Sequence, residues 1–143
     1  MNKRIDELNA KKNKLALGGG DSAIEKQKSI GKLTARERID AILDKNSFDE
    51  CDMFVRHNVH DFGMEKKELP CDGVITGTGT INGRPICIYA QDFTVQGGSL
   101  GLMHARKITK VMDYSLRMRI PCIGINDSGG ARIQEGVDAL AGY

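Results

Sequence analysis

The sequence predicts an α/β fold built from strand–glycine loop–helix units, and three observations predict it. Asn82-Gly83 joins two runs rich in Val, Ile and Thr, and that pair favours the positive φ values a tight hairpin needs. Two short apolar strands then each run into a glycine pair, Gly97-Gly98 and Gly129-Gly130, with helical patterning after each pair. Ahead of them, residues 1–46 read as a helical arm, and residues 47–143 as the start of an α/β domain.

The size of the chain, 143 residues, suits a single domain. Apolar residues make up 40% and charged residues 28%, which excludes a collagen-like or wholly disordered chain. No apolar run approaches the ~18 residues of a membrane-spanning helix. The net charge of +2 is too small to indicate a nucleic-acid binder, and aromatics at 5% with no Trp offer little for base stacking. The charge is uneven, with 11 basic and 7 acidic residues in the first 45. Cys51, Cys71, Cys87 and Cys122 lie too far apart for a short-spaced zinc or redox pair. Met1-Asn2-Lys3-Arg4 opens a charged stretch without a secretory h-region, so reduced cysteines in the cytoplasm are expected. Ala139 to Tyr143 ends without a polar tail, and a truncated chain is expected.

Each element has its own warrant. Residues 1–17 read as a helix with Ile5, Leu8 and Leu15 on one stripe, stopped by Gly18-Gly19-Gly20. A short helix from Asp21 to about Ser29 follows. Thr34-Ala35-Arg36-Glu37 is a capping box opening a helix with Ile39, Ile42 and Leu43 on its apolar face. Phe48 to Val55 reads as a strand, then a polar loop runs to about Pro70. Gly73 to Ile81 and Arg84 to Phe93 are the hairpin strands, the second apolar on both faces and so buried on both sides. Leu100 to about Arg119 is a helix with Leu100, Met103, Ile108, Val111, Met112 and Leu116 at helical spacing, stopped by Pro121. Cys122 to Ile125 is a strand, and another helix is expected from about Ala131. This order demands a parallel pair with a right-handed crossover, which places both glycine loops at one sheet edge, where ligands of such sheets bind.

Paired glycines at helix starts offer unblocked amides for an anion or a developing oxyanion. Other patterns carry less. Gly97-Gly98-Ser99-Leu100-Gly101 fits a hydrolase nucleophile elbow, but only His104 follows it in the chain. Gly77-Thr78-Gly79 lies inside a strand with no helix behind it, unlike a dinucleotide fingerprint. His57 and His60 sit in a loop without metal-ligand geometry, and no metal is expected. Arg132 and Glu135 form a helical pair of small structural effect.

The two long motifs, Gln91 to Gly101 and Asn126 to Gly136, together with Gly31 to Ile39, resemble the carboxyltransferase subunits of biotin-dependent acyl-CoA enzymes. Phe62 to Pro70 is similar to the methylmalonyl-CoA decarboxylase branch of that family. The resemblance implies a crotonase-like fold of repeated ββα units, two such domains per chain, with acyl-CoA on the first and biotin on the second. It implies a site shared between two protomers of a dimer, assembled into a hexamer, with biotin carried on a partner subunit or domain. It places Gly129 and Gly130 in the thioester oxyanion hole. Gly97, Gly98, Ser99, Ala131 and Arg132 fall in the acyl-CoA pocket. The basic arm offers Lys32 and Arg36 as candidates for the CoA phosphates, with a salt-bridged surface as the alternative. The implied function is carboxyl transfer between biotin and propionyl-CoA or methylmalonyl-CoA. Two other readings stand beside it: a single-domain hydratase or thioester hydrolase, and an inactive CoA-binding or subunit-interaction fragment.

Overall fold

The computed structural model describes residues 2–143; Met1, at the head of the first expected helix, lies outside the described residues. Helices α1 (Asn2–Ala16) and α2 (Asp21–Ser29) flank the three glycines as expected. On α1, among the described residues, Leu15 is buried while Ile5 and Leu8 remain exposed. Helix α3 (Ala35–Ile42) begins with both halves of its capping box: Glu37 N donates to Thr34 Oγ1 at 3.3 Å, and Thr34 N to Glu37 Oε2 at 2.9 Å.

Four strands form one sheet in the order β1-β2-β3-β4. Strand β1 (Asp49–Cys51) is three residues long, not the eight that Phe48 to Val55 would give. Asp52 turns left-handed there, with φ 59°, and takes the chain out of the sheet. Strands β2 (Val74–Ile81) and β3 (Arg84–Gln91) pair antiparallel through the hairpin, with Asn82 and Gly83 at φ 51° and 75°. Strand β4 (Cys122–Ile125) pairs parallel to β3, so helix α4 (Leu102–Met118) is the predicted crossover.

The two faces of the sheet carry different contents because side chains alternate along each strand. Ile75, Ile86, Ile88 and Ala90 pack with Ala35, Ile39 and Leu43 into one core. The helix assigned to the arm is thus part of the sheet's core, and the core runs across the 46/47 boundary. The other face meets α4 with a more polar set, in which His104, Lys107 and Ser115 are buried alongside Ala105, Ile108 and Val111. Met112 and Leu116, placed on the apolar stripe by spacing, are 48% and 78% exposed instead.

The expected helix after Ala131 is not an α-helix. Residues Ile133–Leu140 wind as 3-10 turns broken at Gly136, whose φ of 56° interrupts the right-handed run. Ile133, Val137 and Leu140 on it are exposed. No described helix is long and apolar enough to cross a membrane.

Candidate functional site

The two glycine loops meet beyond the ends of β3 and β4. Gly129 N donates to Gly97 O at 2.9 Å, Leu100 N to Gly130 O at 2.9 Å, and Arg132 N to Leu100 O at 2.7 Å. Leu100 and Ala131 form a parallel bridge, so the pairing of the strands resumes past the sheet edge. Gly98 is buried at this junction with φ 60°, and a Cβ there would collide with the carbonyl oxygen of Asp127.

This geometry divides the amides into committed and open ones. Gly129 N is committed to Gly97 O. Gly130 N is held only by the exposed Ser128 hydroxyl, at 3.1 Å, and Ala131 N has no hydrogen-bond partner among the described residues. Gly130 has φ 116°, and a Cβ built on it meets no atom within 4 Å. Of the two neighbouring amides, Ala131 N is thus unpaired among the described residues, and Gly130 N is tied only to a surface hydroxyl. Such a pair suits an oxygen that is gaining negative charge.

The helix dipole expected behind these loops is already used. Gly97 and Gly98 lie in a 3-10 turn, Gln96–Gly98, and α4 begins only at Leu102. Glu135 Oε2 accepts from Leu102 N at 2.7 Å, so a carboxylate from another segment caps α4. The charge at that helix end is thereby met, and no second anion is needed there.

Arg132 is the hub of this arrangement. Its side chain is fully buried, and Nη1 lies 2.6 Å from Asp72 Oδ1 and 2.7 Å from Glu135 Oε1. Nη2 donates to Ser99 O at 3.1 Å and Nε to Ser99 Oγ at 3.4 Å. The pair read as a minor helical contact is instead two arms of a buried triad, whose third member, Asp72, is 60 residues away. Burial raises the Asp72 pKa, and the Arg132 charge opposes that rise.

On the outer side, Asp127 is gripped by Lys32 Nζ at 3.1 Å and by Arg38 Nη2 at 2.8 Å. Burial alone would raise its pKa, but the bonds from Lys32 and Arg38 bring it below the usual value. Lys32 also lies 5.4 Å from the Phe93 ring centroid, so it stands beside the loops. Arg36 does not. Its guanidinium makes a two-bond fork with Glu50, at 2.7 and 3.0 Å. Arg38 was not singled out by sequence, although it lies in the same motif.

His104 cannot serve Ser99 as a base. Its ring is fully buried, with Nδ1 2.9 Å from Asp72 O and Nε2 3.2 Å from Gln91 Nε2. Both nitrogens are engaged, and the Ser99 hydroxyl faces Arg132 instead. This geometry does not support a nucleophile elbow. Among the described residues no group of three or more His, Cys, Asp or Glu is placed to hold a metal.

Burial lowers the His104 pKa from 6.5 to about 4. The unfolded chain therefore binds its proton first as the pH falls. This contribution is full above pH 6.5 and declines as the pH drops towards about 4. The expected loss is on the order of 3 kcal/mol across that window, and His104→Phe should flatten it. Urea midpoints measured between pH 7 and pH 4 in both proteins check this. Parallel curves would mean that the histidine is charged in the fold.

The fold and the paired loops define a class, and comparison agrees with it. Residues 26–143 match the family model described as the carboxyl transferase domain, and the chain belongs to that family. It is 57% identical over 143 residues to the methylmalonyl-CoA decarboxylase subunit alpha of Veillonella parvula, covering 100% of this chain and 28% of that protein. It is 55% identical over 145 residues to the mitochondrial propionyl-CoA carboxylase beta chain of Rattus norvegicus, covering 100% and 26%. Its fold is that of the transcarboxylase 12S structure with methylmalonyl-coenzyme A bound, at TM-score 0.98 and 48% identity, over 100% of this chain and 28% of that one. The chain thus spans little more than a quarter of the length of these relatives.

Proposed function

We propose that this chain supplies the acyl-CoA side of a biotin-dependent carboxyltransferase, acting between biotin and propionyl-CoA or methylmalonyl-CoA. One observation carries the reading: the unpaired Ala131 amide, beside a Gly130 amide held only by the exposed Ser128 hydroxyl, at the junction of the two loops. A thioester that loses its α-proton, or its α-carboxyl group, becomes an enolate, and the charge collects on the thioester oxygen. Preorganised amides stabilise that oxygen by roughly 3 kcal/mol each. Gly129 fixes the loop through Gly97, while Gly98 and Ser99 form the wall beside it. Lys32 is the arm residue placed to reach a CoA phosphate. Biotin, carried on a partner subunit, supplies or receives the carboxyl group; no residue described here is assigned to it. We place the protein in the cytoplasm as a dimer-based oligomer. Its relatives' subunit names and the hexamer assembly of transcarboxylase 12S support the oligomer.

The test is carboxyl transfer from carboxybiotin to propionyl-CoA, in a chain of the relatives' length that carries these residues. Ser99→Ala is expected to raise KM for the acyl-CoA by about 2- to 10-fold, one hydrogen bond's worth, and to keep most of kcat. An acyl adduct on Ser99 found by mass spectrometry would replace the transferase with a thioester hydrolase.

A further inference from the structure

Behind the loop Asp127 to Gly130 lies a buried relay that begins at a strained turn. Cys71, Asp72 and Gly73 are all left-handed, with φ of 54°, 50° and 72°. Two non-glycine residues in that region are costly and are kept only where the surroundings hold them. Lys107 Nζ holds them by donating to Cys71 O and Val74 O, and His104 Nδ1 by bonding Asp72 O at 2.9 Å. From His104 the relay continues through Gln91 Nε2 to Gln91 Oε1, which accepts from Asp127 N at 3.1 Å.

The two backbone ends set the polarity of every link. Asp72 O can only accept, so His104 Nδ1 carries the hydrogen. Asp127 N can only donate, so the Gln91 atom facing it is the oxygen. The Gln91 amide nitrogen is left facing His104 Nε2, which must then be the unprotonated acceptor. One tautomer and one amide orientation satisfy all three bonds. A side chain at 91 that could not accept would leave the partly buried Asp127 amide without its partner.

We propose that Gln91 and His104 are positioning residues, and that their relay fixes the Asp127 amide and with it the loop that carries the Gly130 and Ala131 amides. The functional part rests on the thioester reading of that loop; the mechanical part does not. Neither side chain touches the open face of the loop. Asp127 is also gripped through its carboxylate by Lys32 and Arg38, but those ties are on the partly exposed outer side. The relay is the inner tie, and it alone holds the backbone N–H.

Three measurements test this. In the wild-type protein, 15N shifts should show His104 neutral with its proton on Nδ1. In Gln91→Leu, hydrogen exchange at the Asp127 amide should quicken by about 10-fold or more, because its only acceptor is gone. In Gln91→Glu, the carboxylate still accepts from Asp127 N, so exchange should stay slow, while His104 takes a second proton to donate to the new acceptor. In the chain of the relatives' length, Gln91→Leu should lower kcat by about 10-fold and leave KM for the acyl-CoA within about 2-fold. Unchanged exchange at Asp127 in Gln91→Leu, or a wild-type His104 protonated on Nε2, would overturn the relay. The histidine readout uses the wild-type protein and needs no variant to fold. Faster exchange with normal turnover would support the relay and count against the thioester reading of the loop.

Discussion

Arg132→Met is expected to cost about 3–5 kcal/mol of folding stability, a large part of what a domain of this size has. The reason is not the loss of a favourable ion pair, since burying charges is itself expensive. It is that Asp72 and Glu135, both almost fully buried, would be left as carboxylates with no cation. Glu135 would still accept from Leu102 N, but the Asp72 carboxyl would have no partner, because its Oδ2 is already without one. Burial then pushes the Asp72 pKa further up, so folding takes up a proton, and the cost should be smallest at acidic pH. Urea unfolding of the variant at pH 5 and pH 8 checks both the size and the sign. Combining Arg132→Met with Asp72→Asn and Glu135→Gln should recover most of the loss, because no uncompensated charge stays buried. A single variant as stable as the parent would mean that water reaches the triad.

Gly130→Val should lower kcat for carboxyl transfer by roughly 100-fold or more, in a chain of the relatives' length. The structure makes this an effect on the site more than on packing. A Cβ at Gly130 points into open space, whereas one at Gly98 would strike the Asp127 carbonyl and part the two loops. On the proposed thioester reading, the added isopropyl group would occupy the space that the thioester oxygen enters to reach Gly130 N and Ala131 N. The φ of 116° adds local strain, since a β-branched residue is poorly accommodated there. Binding of biotin by itself should survive. Comparing kcat and KM with those of Gly130→Ala separates the two contributions, because alanine brings the strain but little of the bulk. Turnover near the parent's value in Gly130→Val would take this loop out of the chemistry.

Some of this architecture follows from neighbours in the chain, and the sequence alone determined it. The Asn82-Gly83 turn, the Thr34–Glu37 capping box and the β3–α4–β4 crossover each depend on residues a few positions apart or on a simple period. From the crossover alone, the two glycine loops had to share one sheet edge, and their motifs pointed to the family. What only the tertiary structure decided involves partners far apart in sequence. Arg132 and Asp72 are 60 residues apart, Gln91 and Asp127 36, and Glu135 and Leu102 33. No local pattern encodes such pairs. The one signal available was a polar stripe, His104, Lys107 and Ser115, at helical spacing on α4, which hydrophobic periodicity passes over in favour of Met112 and Leu116. That stripe is buried because backbone carbonyls at Asp72, Cys71, Val74 and Ile120 lie against it and accept its hydrogen bonds. The strand after Phe48 and the helix after Ala131 differed from expectation for a related reason. Left-handed residues at Asp52 and Gly136 end each run, and neither sits in a local turn pattern such as Asn82-Gly83 that announces it, so there the folded surroundings decide.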